Sequence, residues 1–161
     1  MTKTLIYILV IVGLIGCRYS EKKEFIFQDG YNGWAAVVFN CKNGIEKNVV
    51  DDYVQFEIPK NGILLCSFSR SKGILNDRFS LKTESGELIS LNRNSQEFQG
   101  KDEYLIRGNQ LTNIYGKDLS DEYETIFLNC SDSDSGVSES FQQFSKSISK
   151  YLVKNKIELN K

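Results

Sequence analysis

Short strand-like runs separated by turn residues are the sequence feature that most constrains the fold. Between residues 24 and 130, apolar side chains fall either at every second position or in brief continuous runs, and both patterns are typical of β-strands. The predicted strands are 24–28, 34–41, 53–58, 63–68, 78–82, 88–91, 104–107 and 122–129. Turn residues separate them at Asp29-Gly30, Asn32-Gly33, Asn43-Gly44, Pro59 to Gly62 and Ser85-Gly86. The sequence therefore predicts a mainly β domain, an antiparallel β-sandwich-like fold over 24–130.

A helical period replaces the strand pattern near the C-terminus. After the polar stretch 131–136, apolar residues recur at steps of three and four and form one stripe: Val137, Phe141, Phe144, Ile148, Tyr151 and Leu152. Acidic residues near its start and lysines near its end match the preference of the helix dipole. The pattern predicts a C-terminal amphipathic α-helix within 131–157 that packs on the β domain. A stripe left exposed for a partner or a membrane surface is the alternative.

The N-terminal segment predicts export. Lys3 precedes an apolar run of 11 residues from Leu5 to Ile15, and Gly16 and Cys17 close this run. A membrane-spanning helix needs about 20 apolar residues, so the run is too short to cross a bilayer. It has instead the length and the charged flank of a secretory signal peptide.

The end of this run resembles the bacterial lipobox, in which a peptidase cuts before an acylated cysteine. The matching residues are Leu14-Ile15-Gly16-Cys17. The resemblance implies a signal peptide at 1–16, a mature chain that begins at Cys17, and acyl chains such as palmitate on that residue. Residues 17–23 then form a membrane tether that reaches roughly 20 Å when extended. An uncleaved anchor helix with a coincidental cysteine is the alternative.

Charge and export together limit the kinds of partner that the chain can have. The 20 Lys and Arg residues do not exceed the 21 Asp and Glu residues, so the sequence predicts no nucleic-acid partner. The predicted location is the cell envelope, where the N-terminal lipid attaches the protein to a membrane. Arg18 follows the cysteine in place of the aspartate that retains many lipoproteins at an inner membrane, which favours the outer membrane or the cell surface. The expected partner is a protein or a glycan of the envelope.

The chain has no histidine, which removes several kinds of catalytic site. It cannot build a Ser-His or Cys-His nucleophile pair, an imidazole base or a histidine zinc site. It also carries no nucleotide-binding, metalloprotease or hydrolase motif, so we predict no catalytic residue, no metal ligand and no cofactor. The chain is predicted not to be an enzyme.

Acidic residues offer a remaining route to catalysis or metal binding. The adjacent acids are Asp51 with Asp52, Asp102 with Glu103, and Glu122 with Glu124, and two carboxylates on one strand face could serve glycoside hydrolysis. Paired surface acids are the more common explanation. The stretch 131–136 lacks the glycine and glutamate positions of a calcium-binding loop, and we interpret it as helix capping by Asp134 or Ser135.

Cys41, Cys66 and Cys130 remain once Cys17 carries lipid. An odd number of cysteines cannot all pair, and none of their spacings matches a CxxC redox or metal motif. A disulfide between Cys41 and Cys66 is possible, because both fall in strand-like segments of one region. The alternative is that all three are buried, unpaired side chains.

Two segments resemble a family of small exported bacterial proteins with a domain of unknown function. Residues 28–34, Gln28-Asp29-Gly30-Tyr31-Asn32-Gly33-Trp34, are similar to a "P-x-G-Y-x-G-W" start, with Gln28 in place of the proline. Residues 58–64, Ile58-Pro59-Lys60-Asn61-Gly62-Ile63-Leu64, are similar to an "I-P-x-x-G-I-L" turn. The resemblance implies a small β-rich domain, often a lipoprotein, and it assigns no catalytic residue.

Tyr31 and Trp34 are the candidate contact residues for a partner or a glycan. Either they pack at a corner of the β domain, or they form an exposed aromatic platform that stacks on a sugar ring or anchors a protein. The sequence as a whole predicts a non-catalytic binding or assembly module on a membrane-anchored lipoprotein. The alternatives are a domain that binds or cleaves glycans with carboxylates, and an inhibitor or immunity-type lipoprotein.

Overall fold

The computed structural model of the chain describes residues 21–71, 77–91, 104–114, 122–132 and 140–160. Several predicted features lie outside these residues: the signal peptide, Cys17, Asp102, Glu103, Asp134, Ser135 and Val137. Strands in chain order are β1 (Lys22–Gln28), β2 (Gly33–Val38), β3 (Asn48–Val50), β4 (Tyr53–Glu57), β5 (Ile63–Leu65), β6 (Asp77–Lys82), β7 (Leu88–Leu91), β8 (Tyr104–Ile114) and β9 (Tyr123–Asp132). The helix α1 follows at Phe141–Lys154.

The strands form two sheets that enclose an apolar core. A five-stranded sheet has the order β3-β4-β1-β6-β7, and a four-stranded sheet has the order β5-β2-β9-β8. One buried cluster contains side chains from both sheets. These features confirm the prediction of a mainly β, sandwich-like domain with a C-terminal helix.

Both sheets are mixed, which differs from the antiparallel arrangement expected from the turn residues. β1 pairs in parallel with both β4 and β6, and β2 pairs in parallel with β5. The reason is the path of the chain, which crosses to the other sheet after β1 and returns before β4. β1 is therefore connected to β4 and β6 by crossovers through other strands instead of by direct hairpins, and such crossovers allow parallel pairing. The turn residues connect opposite sheets at these places instead of forming hairpins.

Aromatic side chains fill the space between the sheets. Phe25 of β1 stacks between Phe56 and Phe79, with ring centroids 5.0 and 5.5 Å apart. Each of these rings is at most 2% exposed. Burial of one phenylalanine side chain contributes about 1.5 to 3 kcal/mol. The central position of β1 thus follows from its apolar run, because a central strand is covered on both faces.

The helix covers the other face of the four-stranded sheet. Its buried residues Phe144, Ile148 and Leu152 recur at steps of four and pack against Ala36, Val38 and Phe127. The predicted apolar stripe is therefore turned towards the sheet at these positions. The helix begins at Ser140, whose hydroxyl accepts a hydrogen bond from the backbone N–H of Gln143 at 3.3 Å.

The position of this cap corrects the sequence interpretation, which placed it at Asp134 or Ser135. Ser140 and Gln143 form a reciprocal capping box, because the Gln143 side chain also accepts from the Ser140 backbone N–H at 3.1 Å. The capping box thus satisfies two backbone N–H groups at the start of the helix, those of Ser140 and Gln143, without an acidic residue. The helix is consequently 14 residues long, slightly shorter than expected from the stripe.

Candidate functional site

The turn between β1 and β2 positions the two aromatic residues singled out in the sequence. Tyr31 is 9% exposed and belongs to the core between the sheets, where its ring lies 5.2 Å from that of Phe27. Trp34 is half-buried, packs with the helix-side cluster and contacts Phe141 at 5.3 Å between ring centroids. The two rings therefore lie in different clusters on opposite faces of the four-stranded sheet. They do not form one exposed aromatic platform.

A hydrogen bond fixes the Tyr31 side chain against the neighbouring turn. Its hydroxyl donates to the backbone carbonyl of Trp34 at 2.6 Å, and burial raises the pKa of this hydroxyl well above its usual range. Gly62 lies directly against this bond, since a Cβ atom there would come within 2.6 Å of Tyr31 Oη. The two sequence segments that resemble a family signature thus meet in space. Their glycine, tyrosine and tryptophan residues build one structural corner.

A cleft of about 360 Å³ lies on the solvent side of this corner. Its lining residues are Gln28, Asp29, Gly30, Tyr31, Asn32 and Lys60. The volume is at the lower end of small-molecule sites, and the lining offers amide, carboxylate and ammonium groups. Sequence reasoning selected Tyr31 in this region and missed Gln28 and Lys60, because polar turn residues of this kind are common on any surface. The cleft can accept a small polar group.

A charged cluster on the outer face of the five-stranded sheet was also missed. Glu24 in the middle of this sheet is only 1% exposed. It accepts hydrogen bonds from Gln55 Nε2 at 2.8 Å, Arg78 Nη2 at 2.9 Å and Ser80 Oγ at 2.8 Å. The Arg78 guanidinium also lies 3.9 Å from the ring centroid of Tyr53. Glu24 stands between two lysines and the apolar residues of the predicted strand 24–28, where a charged residue at a strand end is unremarkable, so the sequence carries no signal for this cluster.

Electrostatics keep the Glu24 carboxylate charged. Burial alone raises its pKa, but the hydrogen bonds from Arg78, Gln55 and Ser80, together with the charge of Arg78, outweigh burial. The pKa of Glu24 therefore lies below its ordinary value. The three donors saturate the carboxylate from neighbouring strands, so this arrangement stabilises the sheet and holds Glu24 away from acid-base chemistry.

A second charged pair lies beside this cluster, at the start of β1. Lys23 is 2% exposed, and its Nζ lies 3.9 Å from Asp77 Oδ1. Burial lowers the pKa of Lys23, the charge of Asp77 opposes this effect, and the charge of Arg70 adds to it. A buried lysine with a lowered pKa can mark a catalytic site, but here it is closed off from solvent.

The three cysteines of the β domain are free and buried. Burial raises the pKa of Cys41 to about 11 and those of Cys66 and Cys130 to about 12, so the thiols stay protonated and poorly nucleophilic. Cys41 and Cys66 are neighbours through their backbones, with a hydrogen bond of 2.7 Å from Cys41 N to Cys66 O. Their side chains, however, belong to clusters on opposite faces of the sheet. The possible disulfide is accordingly not formed in this structure.

Asn129 is an unusual polar residue on the helix-covered face. It is 1% exposed, and within the described part of the chain neither its side-chain nitrogen nor its side-chain oxygen has a hydrogen-bond partner. It lies opposite Trp34 in the register of β2 and β9. A buried polar group without a partner destabilises the fold by about 1 to 3 kcal/mol.

Replacing Asn129 with valine is expected to stabilise the protein by about 1 kcal/mol, since it removes an unsatisfied amide and suits a buried strand. Urea unfolding followed by circular dichroism measures this change. Asn129→Asp is the matched comparison, and it should destabilise because it places a charge at the same site. A loss of stability on Asn129→Val would show that the amide has a binding partner in solution.

The remaining acidic residues do not converge on the turn cleft. Asp51 and Asp52 are exposed in the turn between β3 and β4, where both have positive φ. Glu122 is exposed and Glu124 is half-buried near the start of β9. Among the described residues, no group of three or more acids and cysteines is arranged to hold a metal ion. Within the same ranges, no helix combines the length and hydropathy needed to span a membrane.

Comparison with known proteins places the chain in a family. No curated protein matches it. Its fold is similar to the 2.75 Å crystal structure of a predicted lipoprotein from Bacillus anthracis, with a TM-score of 0.56 over 84% of this chain and 94% of that chain. The two sequences are 14% identical, so this likeness concerns the fold alone. The profile of DUF6843 matches residues 20–138, and the chain belongs to this family of unknown function.

Proposed function

We propose that the chain is a lipid-anchored protein of the bacterial cell envelope whose β-sandwich is a non-catalytic binding or assembly module. The observation that carries the proposal is the lipobox-like end of the N-terminal apolar run. Its cysteine, Cys17, stands five positions before Lys22, where β1 begins. A lipid on Cys17 would hold the folded domain directly at a membrane, because two or three acyl chains bind a bilayer stably.

Two further observations support this proposal. The structurally similar protein from Bacillus anthracis is described as a predicted lipoprotein. Two charged clusters of the described residues are held by their neighbours: Glu24 accepts hydrogen bonds from three side chains, and Lys23 is enclosed beside Asp77. Groups held in this way stabilise a domain and leave its surface for binding.

Replacing Cys17 with alanine is expected to abolish fatty-acid incorporation and to leave residues 1–16 attached, because the peptidase cuts before an acylated cysteine. Metabolic labelling with alkynyl palmitate and the intact mass of the purified protein measure the lipid. Ser20→Ala, three positions further on, keeps the cysteine and should leave labelling unchanged. Equal labelling of the Cys17→Ala variant would overturn the proposed anchor.

The binding role is tested by brief cross-linking in intact cells, followed by affinity recovery and mass spectrometry. A stoichiometric protein partner that disappears in the Cys17→Ala variant would support a tethered module. If that partner is a toxin or an enzyme that the module blocks, the inhibitor or immunity-type alternative is favoured. Recovery of the protein alone would count against a protein partner.

A glycan-binding role is a second candidate, favoured by the cleft beside Tyr31. Its amide and charged groups, at Gln28, Asn32, Asp29 and Lys60, can both donate to and accept from sugar hydroxyls. Asp29 is the only carboxylate among these lining residues, whereas glycoside cleavage uses two, so the cleft favours binding over cleavage. Titration of envelope oligosaccharides into the protein and its Lys60→Ala variant, followed by calorimetry, distinguishes this role.

A further inference from the structure

We propose that the end of the five-stranded sheet where β1, β4 and β6 begin faces the bilayer, and that the turn cleft opens away from it. This inference rests on the proposed lipid at Cys17. We call the first end the anchor-side end and define it by Lys22, Val50, Tyr53 and Asp77. The opposite end comprises the turns at 29–32, 59–62 and 83–87.

Strand register places the anchor-side residues together. Lys22 pairs with Tyr53 in β4, and the next residue of β1, Lys23, pairs with Asp77 in β6. Val50 at the end of β3 also pairs with Tyr53. Because β1, β4 and β6 run parallel, their starts share one end of the sheet, next to the point where the chain arrives from Cys17.

Tether length determines how far this end can lie from the membrane. Five residue steps separate Cys17 from Lys22, and a fully extended chain covers at most about 18 Å in five steps. β1 then leads away from this point for seven residues, which correspond to about 20 Å along the sheet. Gln28 at its end lines the cleft. The anchor-side end is therefore held near the lipid, while the cleft lies a full strand length further along.

The surface chemistry of the anchor-side end suits lipid headgroups. Its side chains with solvent exposure are Lys22, Val50, Asp51, Asp52, Tyr53 and Arg78. The Arg78 guanidinium and the Lys22 ammonium lie over the ring of Tyr53, at 3.9 and 5.5 Å from its centroid. Tyrosine and basic residues are frequent at the membrane interface. Arg78 is paired with Glu24, and Asp51 and Asp52 offset Lys22 and the nearby Arg70, so attraction to anionic lipid is small and the tether alone sets the orientation.

Energy transfer from a dye on the protein to acceptor-labelled lipid tests this orientation. The full-length protein is expressed in its lipidated form, carries either Val50→Cys or Glu84→Cys, and is reconstituted in phosphatidylethanolamine vesicles. Val50 is 40% exposed at the anchor-side end, and Glu84 is exposed in the turn at the opposite end. The dye reacts only with the introduced thiol, because Cys17 is then a thioether and Cys41, Cys66 and Cys130 are buried.

Transfer from Val50→Cys is expected to exceed transfer from Glu84→Cys at least about twofold, given a separation of roughly one strand length. Adding phosphatidylglycerol to the vesicles should leave this ratio unchanged. A flexible Gly-Ser insert of 20 residues after Ser20 should bring the ratio close to one, because its span of about 25 Å releases the domain. The unlipidated control, a Cys17→Ser protein expressed without residues 1–16, should show no transfer at either position.

The outcomes separate the orientation from the anchor. Equal transfer at the two positions, in protein whose mass confirms lipid on Cys17, overturns the orientation and leaves the anchor intact. Protein without lipid on Cys17 overturns the proposed anchor and the orientation with it. A ratio that persists with the long insert would show that direct contact, and not the tether, orients the domain, which contradicts the argument from reach.

Discussion

Replacing Gly62 with alanine is expected to destabilise the protein by about 3 to 4 kcal/mol. Gly62 has a φ of +73°, which costs a residue with a Cβ about 1 to 2 kcal/mol. The added methyl group would also come within 2.6 Å of Tyr31 Oη and 2.7 Å of the Trp34 carbonyl oxygen, and such overpacking costs about 1 to 3 kcal/mol. Urea unfolding followed by the fluorescence of Trp34, the single tryptophan of the chain, measures the change.

Gly86 provides the matched control for this prediction. Its φ of +86° is similarly unfavourable for alanine, but nothing lies within 4 Å of an added Cβ atom. Gly86→Ala should therefore show the backbone cost alone, about 1 to 2 kcal/mol. Equal losses at Gly62 and Gly86 would mean that the Tyr31 corner yields to the methyl group. The corner would then not hold the two turns in place.

Replacing Arg78 with methionine is expected to destabilise the protein by about 2 kcal/mol at neutral pH. The substitution leaves the buried carboxylate of Glu24 without its cationic partner, and removal of one member of a fully buried pair costs about 3 to 5 kcal/mol. The Arg78 side chain is 40% exposed, so solvent screening reduces the effect to the lower figure. Chemical unfolding at pH 7 measures it, and Arg78→Lys, which keeps the charge, should lose less.

Acid conditions should shrink the effect of Arg78→Met. In the unaltered protein the pKa of Glu24 is lowered on folding, so its contribution is present above the unfolded pKa and is lost as the pH falls through the folded pKa. In the variant, only the hydrogen bonds from Gln55 and Ser80 oppose the effect of burial, so the pKa of Glu24 is higher than in the unaltered protein. Unfolding free energies of the two proteins should consequently converge between pH 7 and pH values below the ordinary glutamate pKa of about 4.3. A gap that is constant across this range would contradict the assigned role of Glu24.

The strand pattern was predictable because it depends on local chemistry. The predicted strands all correspond to strands of the structure, since alternating apolar residues have few other ways to be buried. β3 was missed, as it has three residues and all of them are exposed. The parallel pairing was missed for a different reason. A turn sequence such as Asn32-Gly33 reverses the chain whether the next strand joins the same sheet or the facing one, and only tertiary packing decides between them.

The candidate residues show the same limit of local information. Tyr31 lies between two glycine-containing turns, a context typical of an exposed loop, yet its ring is drawn into the core beside Phe27. Cys41 and Cys66 fall in strand-like segments of one region, and Phe39 and Val37, two and four positions before Cys41, face the core that also contains Cys66. Asn40, with a φ of +61°, breaks the alternation and sends Cys41 to the helix side. Sequence periodicity does not reveal a single residue that changes which side chains face the core.

The parallel neighbours of β1 also determine the order in which the domain can assemble. Glu24 meets its partners Gln55 and Ser80 across sequence separations of 31 and 56 residues, so the first strand to be synthesised is completed only after β6 has followed it. Contacts this distant in sequence slow folding, because the loop-closure entropy is lost before the contacts form. A nascent chain can pair β1 with β4 once Glu57 has emerged, but it lacks the β6 neighbour of β1 until Lys82 has emerged. The five-stranded sheet is therefore completed late in synthesis.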